Sequence, residues 1–420
     1  MEFVIGSISN YVSNLRRITA HRSFRRLLAA SFVSSMGDSI AYLAFLAAVS
    51  AASSDVFAIG GISVAEMIAG LATLPVVQLL VDRYDKRRLL LFADIARALI
   101  FFAVAMASDL SFYYIAGFTS AAFSYLFDPA RAALEPHYVP DGEFAQANGI
   151  RSSMMSLTLI IGPAIGGILI GAAGFRIAFI INAISFLYSA AMVYKLEHVT
   201  TTKRDSTRFL DEITGGYRAV RNNPTLKFLF VMMGSFHFAV GMQFPLIFVF
   251  IKEVFHGGTL EMSWLMSSMG IGGIIGGLAM SRIPKEKHPF DISKLHGRAN
   301  IALIAIIDGL ALVGFTMFHL IVPLAILFGF FGMFGAAFYV GITTAITEQT
   351  DASFRGRVFS LYHAQRGPLL MLSVIIGMPL AKLLDTTTTL QISGAAEIVI
   401  GVVAILVTKN LVTKKTFLFW

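Results

Sequence analysis

Two carboxyl groups, Asp38 and Glu66, sit deep inside long apolar stretches of this chain. An ionised side chain at the centre of a bilayer costs about 2.5–3.5 kcal/mol on insertion scales, so each one kept there implies a task. Hydrocarbon disfavours the charged form of a carboxyl, and such a group is suited to exchanging a proton or attracting a cationic solute. Asp38 is flanked by Gly37 and Ser39, small residues that leave room for water or ligand. Asp94 and Arg97 stand at i and i+3 and read as a mutually neutralising pair. His237, Gln243, His363, Gln365 and Arg366 add candidate polar contacts for a solute. Other chemistries are poorly served. There is no Cys, the nine His are scattered without ligand-like spacing, and no Walker sequence or nucleophile motif occurs. No metal, cofactor or enzymatic reaction is expected.

Such residues must be held by elements that survive in hydrocarbon. Apolar stretches recur at residues 25–50, 57–81, 88–108, 112–134, 143–172, 176–195, 225–252, 259–281, 296–318, 320–347, 354–383 and 388–410. Each approaches the ~20 residues that a membrane-crossing helix needs. A chain that is 56% hydrophobic with mean hydropathy +0.74 exceeds what one soluble core explains. The expected fold is an all-α polytopic membrane protein of twelve transmembrane helices in two pseudo-symmetric six-helix bundles. Positive charge gathers on every second connector and at the termini, as at Arg22, Arg83, Lys203, Arg355 and Lys409. The exceptions among the 33 Lys and Arg are Arg97, Arg176, Lys252, Arg366 and Lys382. That asymmetry places both termini in the cytoplasm. The net charge of +8 is then a topological signal rather than a nucleic-acid footprint.

The charge-rich segment 196–224 separates six stretches from six. The division is a cytoplasmic N-terminal amphipathic segment (1–24), a first bundle (25–195), a linker (196–224), a second bundle (225–410) and a cytoplasmic tail (411–420). Apolar residues at helical spacing from Val4 to Ile18 read as an interfacial helix, not a cleaved signal peptide. Residues Phe209 to Val220 have the makings of a short helix. Leu79 to Arg83 echoes Leu278 to Arg282, a faint internal repeat of the kind on which many secondary transporters are built. The run Gly270, Gly272, Gly273, Gly276, Gly277 lies inside an apolar stretch and reads as close helix packing, not a nucleotide loop.

Several motifs together resemble a known family. Val81-Asp82-Arg83-Tyr84-Asp85-Lys86-Arg87-Arg88 is similar to the loop 2–3 signature of the major facilitator superfamily, with Gln78 in place of its usual first glycine. Ser34-Ser35-Met36-Gly37-Asp38, Phe127-Asp128-Pro129-Ala130-Arg131, Asn182-Ala183-Ile184-Ser185-Phe186 and Gly356-Arg357-Val358 resemble its macrolide-efflux and enterobactin-exporter branch. The resemblance implies a cytoplasmic gate at Asp82, Arg83, Arg87 and Arg131. Gly162-Pro163-Ala164-Ile165-Gly166-Gly167, with Gly149 upstream, is similar to the glycine–proline element of superfamily antiporters. There a proline bends the helix and glycines admit a close neighbour. The superfamily's helix 4 arginine is missing, since Gly117, Ser120 and Ala121 stand in its place. By the same resemblance Asp38 lines the cavity, whereas Asp308 and Glu397 lie on peripheral helices.

The expected function is a monomeric exporter of the bacterial cytoplasmic membrane. It would move amphiphilic small molecules, such as an antibiotic, drug or siderophore, by alternating access in exchange for protons, with lipids as its other partners. Asp38 and Glu66 are the groups expected to carry the proton or meet the substrate. The rival is an uptake permease or lipid flippase of the same superfamily. A non-transporting sensor would need a soluble signalling module, for which no connector is long enough.

Overall fold

Hydrocarbon leaves backbone N–H and C=O groups without partners, and a chain this apolar answers with helices. The computed structural model describes residues 20–53, 55–139, 143–199, 209–281, 295–351 and 354–417. Among them the elements are all helical: α1 (Arg22–Ala52), α2 (Val56–Arg83), α3 (Lys86–Met106), α4 (Leu110–Tyr138), α5 (Phe144–Ala173), α6 (Phe175–Tyr194), α7 (Phe209–Asn222), α8 (Pro224–Val240), α9 (Gln243–Glu253), α10 (Thr259–Ser281), α11 (Leu295–Phe315), α12 (Ile321–Glu348), α13 (Arg355–Leu384) and α14 (Thr386–Phe417). The interfacial helix expected from Val4 to Ile18 lies outside the described residues, as does the basic loop 282–294. Among the described residues nine segments, counting α8 and α9 as one, are long and apolar enough to cross a membrane. Phe57–Thr73 of α2 and Ala299–Phe315 of α11 are shorter apolar stretches. In α4 the apolar character is diluted by Ser, Thr and Tyr hydroxyls. By length and apolarity the described residues supply nine of the twelve expected crossings.

Short connectors end helices with local caps. Asp85 Oδ1 accepts the Arg88 N–H at 2.8 Å to start α3, and Asp109 accepts from Ser111 N–H at 3.1 Å to start α4. Asn223 Oδ1 accepts from Thr225 and Leu226 N–H ahead of α8, with Pro224 in the first turn, where a missing N–H costs nothing. Asp385 caps α14 through Thr388 while holding φ 108°, ψ 164°.

The chain divides into two compact units: residues 1–53 with 68–205, and residues 54–67 with 206–420. In the first, α1 packs on α4, α5 and α6, and α3 packs on α4 and α6. Its apolar heart is a set of aromatic rings, Phe45, Phe101, Tyr113, Phe179 and Phe186, with neighbouring centroids 4.9–6.4 Å apart. In the second unit α10 packs on α12 and α11 on α14. The glycine run does the work expected of it, because a Cβ on Gly276 would enter the Met333 carbonyl and one on Gly332 the Met269 carbonyl. The α7 helix appears where the sequence places one, with Gly216 against the main chain of Arg357.

One expected helix is broken. The stretch 225–252 folds as α8 and α9, separated by a turn at Gly241–Met242. The cause is local: Pro245 has no N–H to give the Gly241 carbonyl four residues earlier. The Met242 N–H is taken instead by Ser373 Oγ at 2.9 Å.

Candidate functional site

The first unit gathers charge around one guanidinium. Arg97, on α3, is 3% exposed at its side chain, and Asp94 is fully buried. Arg97 Nη2 donates to Asp94 Oδ1 at 2.6 Å, and Ser189 of α6 donates to Asp94 Oδ2 at 2.6 Å. Arg97 Nη1 reaches Ser124 Oγ of α4 at 3.3 Å and stands 3.9 Å from Asp38 Oδ2 of α1. The guanidinium lies 4.1 Å from the Phe186 ring centroid and 4.7 Å from that of Phe127, a cation held between two π faces. Its Nε is buried without an acceptor. The expected neutralising pair is present, but it extends to Asp38, which the sequence placed alone.

Asp38 is positioned from α6. Its Oδ1 accepts from Asn182 Nδ2 at 3.2 Å, and Ser185 lies against the same asparagine at 2.9 Å. Gly37 makes this possible, because a Cβ there would strike the Asn182 and Ser185 side-chain oxygens. Unlike its neighbours, the Asp38 side chain is 41% accessible. Two carboxyls share one guanidinium, so a net negative charge remains unless one carboxyl holds a proton or meets a cation. Asp94 is sealed, and Asp38 is the group that solvent or solute can reach.

The glycine–proline element lies against the same turn of α1. A Cβ on Gly162 would sit 2.5 Å from Ser39 Cβ, and one on Gly166 would sit 3.2 Å from Ile40 Cα. Pro163 and Gly167 are buried within α5, whereas Gly149 is exposed with open space around it. Close approach therefore belongs to Gly162 and Gly166 and not to Gly149.

The expected gate residues have several fates. Arg87 donates to the carbonyls of Val193 (3.3 Å) and Tyr194 at the end of α6 and lies over the Tyr194 ring, so it caps that helix. Arg131 bonds Glu135 at 2.5 Å, and Glu135 is 3.6 Å from Arg151 of α5, a compact ion cluster at the ends of α4 and α5. Arg83 is exposed at the end of α2. Asp82 lies in the last turn of α2 and His363 in α13, and the side chains of both are outside the described part of the structure. Glu66 is half-buried on α2, in the stretch 54–67 that groups with the second unit.

In the second unit, Gln365 Nε2 donates to the Phe230 carbonyl at 2.9 Å, a helix-to-helix tie. His237 stands 6.0 Å from the Tyr362 ring and Arg366 is exposed. Gln243 is buried and donates to Ser393 Oγ at 3.0 Å and to Glu397. Asn182, Ser189 and Glu397 are the polar residues that sequence reasoning did not place in a site. Asn182 and Ser185 do stand in a motif that carried the family resemblance.

Comparison with known proteins bears on the class. A model of the Major Facilitator Superfamily matches residues 27–307. The uncharacterized MFS-type transporter YfiS of Bacillus subtilis (strain 168) is 27% identical over 350 residues, covering 79% of this chain and 80% of that protein. The putative bacilysin exporter BacE of Bacillus amyloliquefaciens is 25% identical over 322 residues, covering 74% and 76%. Macrolide efflux protein A of Streptococcus pyogenes is 23% identical over 329 residues, again covering 74% and 76%. Among solved structures, the nucleoside transporter NupG aligns with a TM-score of 0.69 at 14% identity, covering 92% of this chain and 98% of that one, a likeness of fold. The family match and these relatives make the chain a membrane transporter and not an enzyme.

Proposed function

Because the chain belongs to the Major Facilitator Superfamily, we propose that it exports amphiphilic small molecules across the bacterial cytoplasmic membrane by alternating access, in exchange for protons. Both termini lie in the cytoplasm, and the monomer is the working unit. Export is supported by the relatives named for bacilysin export and macrolide efflux. The substrate is accordingly a small antibiotic-like or secreted metabolite.

The observation that carries proton exchange is the charge count at Asp38. One accessible carboxyl and one sealed carboxyl face a single buried guanidinium. Asp38 binds a proton or the cationic group of a solute, and Arg97 keeps the unprotonated state from being prohibitive. The kink element of α5, seated on Ser39 and Ile40, transmits a change at this turn to the neighbouring helix.

Asp38→Asn keeps size and the acceptor for Asn182 but cannot cycle a proton. In inverted membrane vesicles energised by a pH gradient, the variant should lose proton-driven accumulation of a macrolide or similar probe. Binding should fall only when the probe is cationic. Substrate-dependent proton movement that persists in Asp38→Asn vesicles would refute the assignment to this residue. Gradient-driven depletion of the probe from inverted vesicles would refute export.

A further inference from the structure

The second unit holds a buried polar cluster that the chemistry at Asp38 does not use. At its centre is Glu397 of α14, 0% exposed. One carboxyl oxygen, Oε1, accepts from Gln243 Nε2. Gln243 also donates to Ser393 Oγ at 3.0 Å, and Ser393 donates to the Ala239 carbonyl at 2.8 Å. Asp308 of α11 comes within hydrogen-bonding reach of the Glu397 carboxyl. The other oxygen, Glu397 Oε2, is buried and receives no N–H or hydroxyl from the described residues.

The helices packed against α14 are α8, α9, α11 and α13. Among the described side chains, their other titratable groups are engaged or distant. His237 of α8 sits beside Tyr362, Lys382 of α13 pairs with Asp55 at 3.7 Å, and Arg366 is exposed. Lys252 and Glu253 lie at the far end of α9 from Gln243. The carboxyl pair thus has amide and hydroxyl neighbours but no ion-paired cation among the described residues. Two ionised carboxylates cannot stay at hydrogen-bonding distance under those conditions. A proton on Glu397 Oε2, shared with Asp308, gives that oxygen the hydrogen bond it lacks.

The cluster also sits on a crossing segment that is broken, α8–α9. Ala239 and Gln243 flank the Gly241–Met242 turn, and both are tied through Ser393 to α14. A Cβ on Gly241 would lie 2.6 Å from the Leu370 carbonyl oxygen, so the turn is wedged against α13. Breaks of this kind are where a crossing helix bends and where membrane transporters place ion sites.

We propose that Asp308 and Glu397 form a second proton-binding site, separate from Asp38, that sets the bend between α8 and α9 through Gln243. With the proton bound, the Glu397 Oε2–H donates to the Asp308 carboxylate, Gln243 faces a neutral acid, and the cluster is closed. When the proton leaves to water by way of Asp308, the partly accessible member, the two carboxylates repel. Glu397 then holds the Gln243 amide by a charge-assisted bond roughly twice as strong as a neutral one. That pull falls on the first residue of α9, beside a turn with no helical hydrogen bond across Pro245. The inference rests on the chain spanning a membrane and is independent of Asp38.

Infrared difference spectra of the purified full-length protein in nanodiscs, recorded across pH, test the proton. A deuterium-sensitive carbonyl stretch of a protonated carboxylic acid should appear in the unmutated protein and in Asp38→Asn. On the Asp38→Asn background it should be lost when Asp308→Asn and Glu397→Gln are added. The bend is read by spin labels on Val231→Cys and Glu253→Cys, which are specific because the chain has no cysteine of its own. Their distance distribution should shift over the pH range in which the band titrates, and the shift should vanish in Glu397→Gln. Gln matches a protonated Glu in shape, and Asp308→Asn gives the same reading if Glu397→Gln fails to fold. The proposal is overturned if the band survives the double substitution on the Asp38→Asn background, if sodium abolishes the band there at constant pH, or if the label distance ignores the titration. Loss of export in Asp38→Asn alone leaves all three readouts standing, so the two sites fail separately.

Discussion

Arg97→Met should destabilise the first unit more than Asp94→Leu/Arg97→Met does. The single substitution leaves Asp94, fully buried, with Ser189 as its remaining donor among the described residues. Stripping one partner from a buried ion pair costs about 3–5 kcal/mol, because the stranded charge has neither water nor counter-ion. Loss of the guanidinium from between Phe127 and Phe186 adds about 2 kcal/mol, the upper end for a desolvated cation–π contact. Asp38 contributes about 1 kcal/mol or less to this loss, since it stands 3.9 Å away and is 41% accessible. In the double variant no sealed charge is stranded, the loss at Asp38 is common to both variants, and replacing a buried pair by apolar residues is near neutral. What remains is the lost cation–π contact and the orphaned Ser189 hydroxyl, about 1–3 kcal/mol for the latter. The double variant should therefore recover about 2 kcal/mol relative to the single. The assay is the fraction of monodisperse protein on size exclusion after stepped heating in detergent. If the double variant falls as far as the single, the loss arises from packing of the arginine stem, and the stranded-charge argument fails.

Gly166→Leu should lower efflux and raise passive entry of substrate into vesicles, because overpacking against Ile40 and Leu43 costs about 1–3 kcal/mol. Gly149→Ala, in open space, should match the unmutated protein, and equal effects of the two would make the motif incidental. Asp385→Ala should cost about 0.5–2 kcal/mol of thermal stability through loss of the α14 cap, while Asp385→Gly should be neutral or stabilising, since φ 108°, ψ 164° belongs to glycine. The Thr388 backbone N–H holds the Asp385 carboxyl below its ordinary pKa. Its stabilising share is thus present above the unfolded-state value, near pH 4, and is lost as pH falls through the lower folded value. A thermal midpoint that Asp385→Ala leaves unchanged at pH 7 would remove the cap from consideration.

Much of this was legible from the sequence for reasons of period and cost. Hydrocarbon enforces helices, so apolar length located the long helices, while α7 lies in the charge-rich linker and the break between α8 and α9 was not legible from length. Asp94 and Arg97 are one turn apart, and neighbours on a helix surface need no tertiary knowledge to be paired. Asp38 was found by the expense of a charge in an apolar stretch. Its attachment to that pair was not legible, because the tie runs through Asn182 and Arg97 on two other helices. Sequence periodicity states which residues share a helix face and is silent on which faces meet.

Asp308 and Glu397 meet the same limit. The family resemblance puts their helices at the periphery, where a carboxyl has little to do. The rank of a helix in a bundle does not fix the direction of each side chain around it, however. Glu397 points inward because Gly309 and Gly394 let α11 and α14 touch backbone to backbone. At that spacing a side chain one turn from the contact has no way out to lipid. The signal was present in pieces: a glycine on each helix within a turn of each carboxyl, and a Gly241–Pro245 pair four residues apart in the helix that bears Gln243. Each piece alone describes ordinary packing. Read together, they say that two helices close tightly on a carboxyl pair beside a third that cannot run straight. In a membrane such a place cannot be left with two bare charges, and only a proton or a cation resolves it.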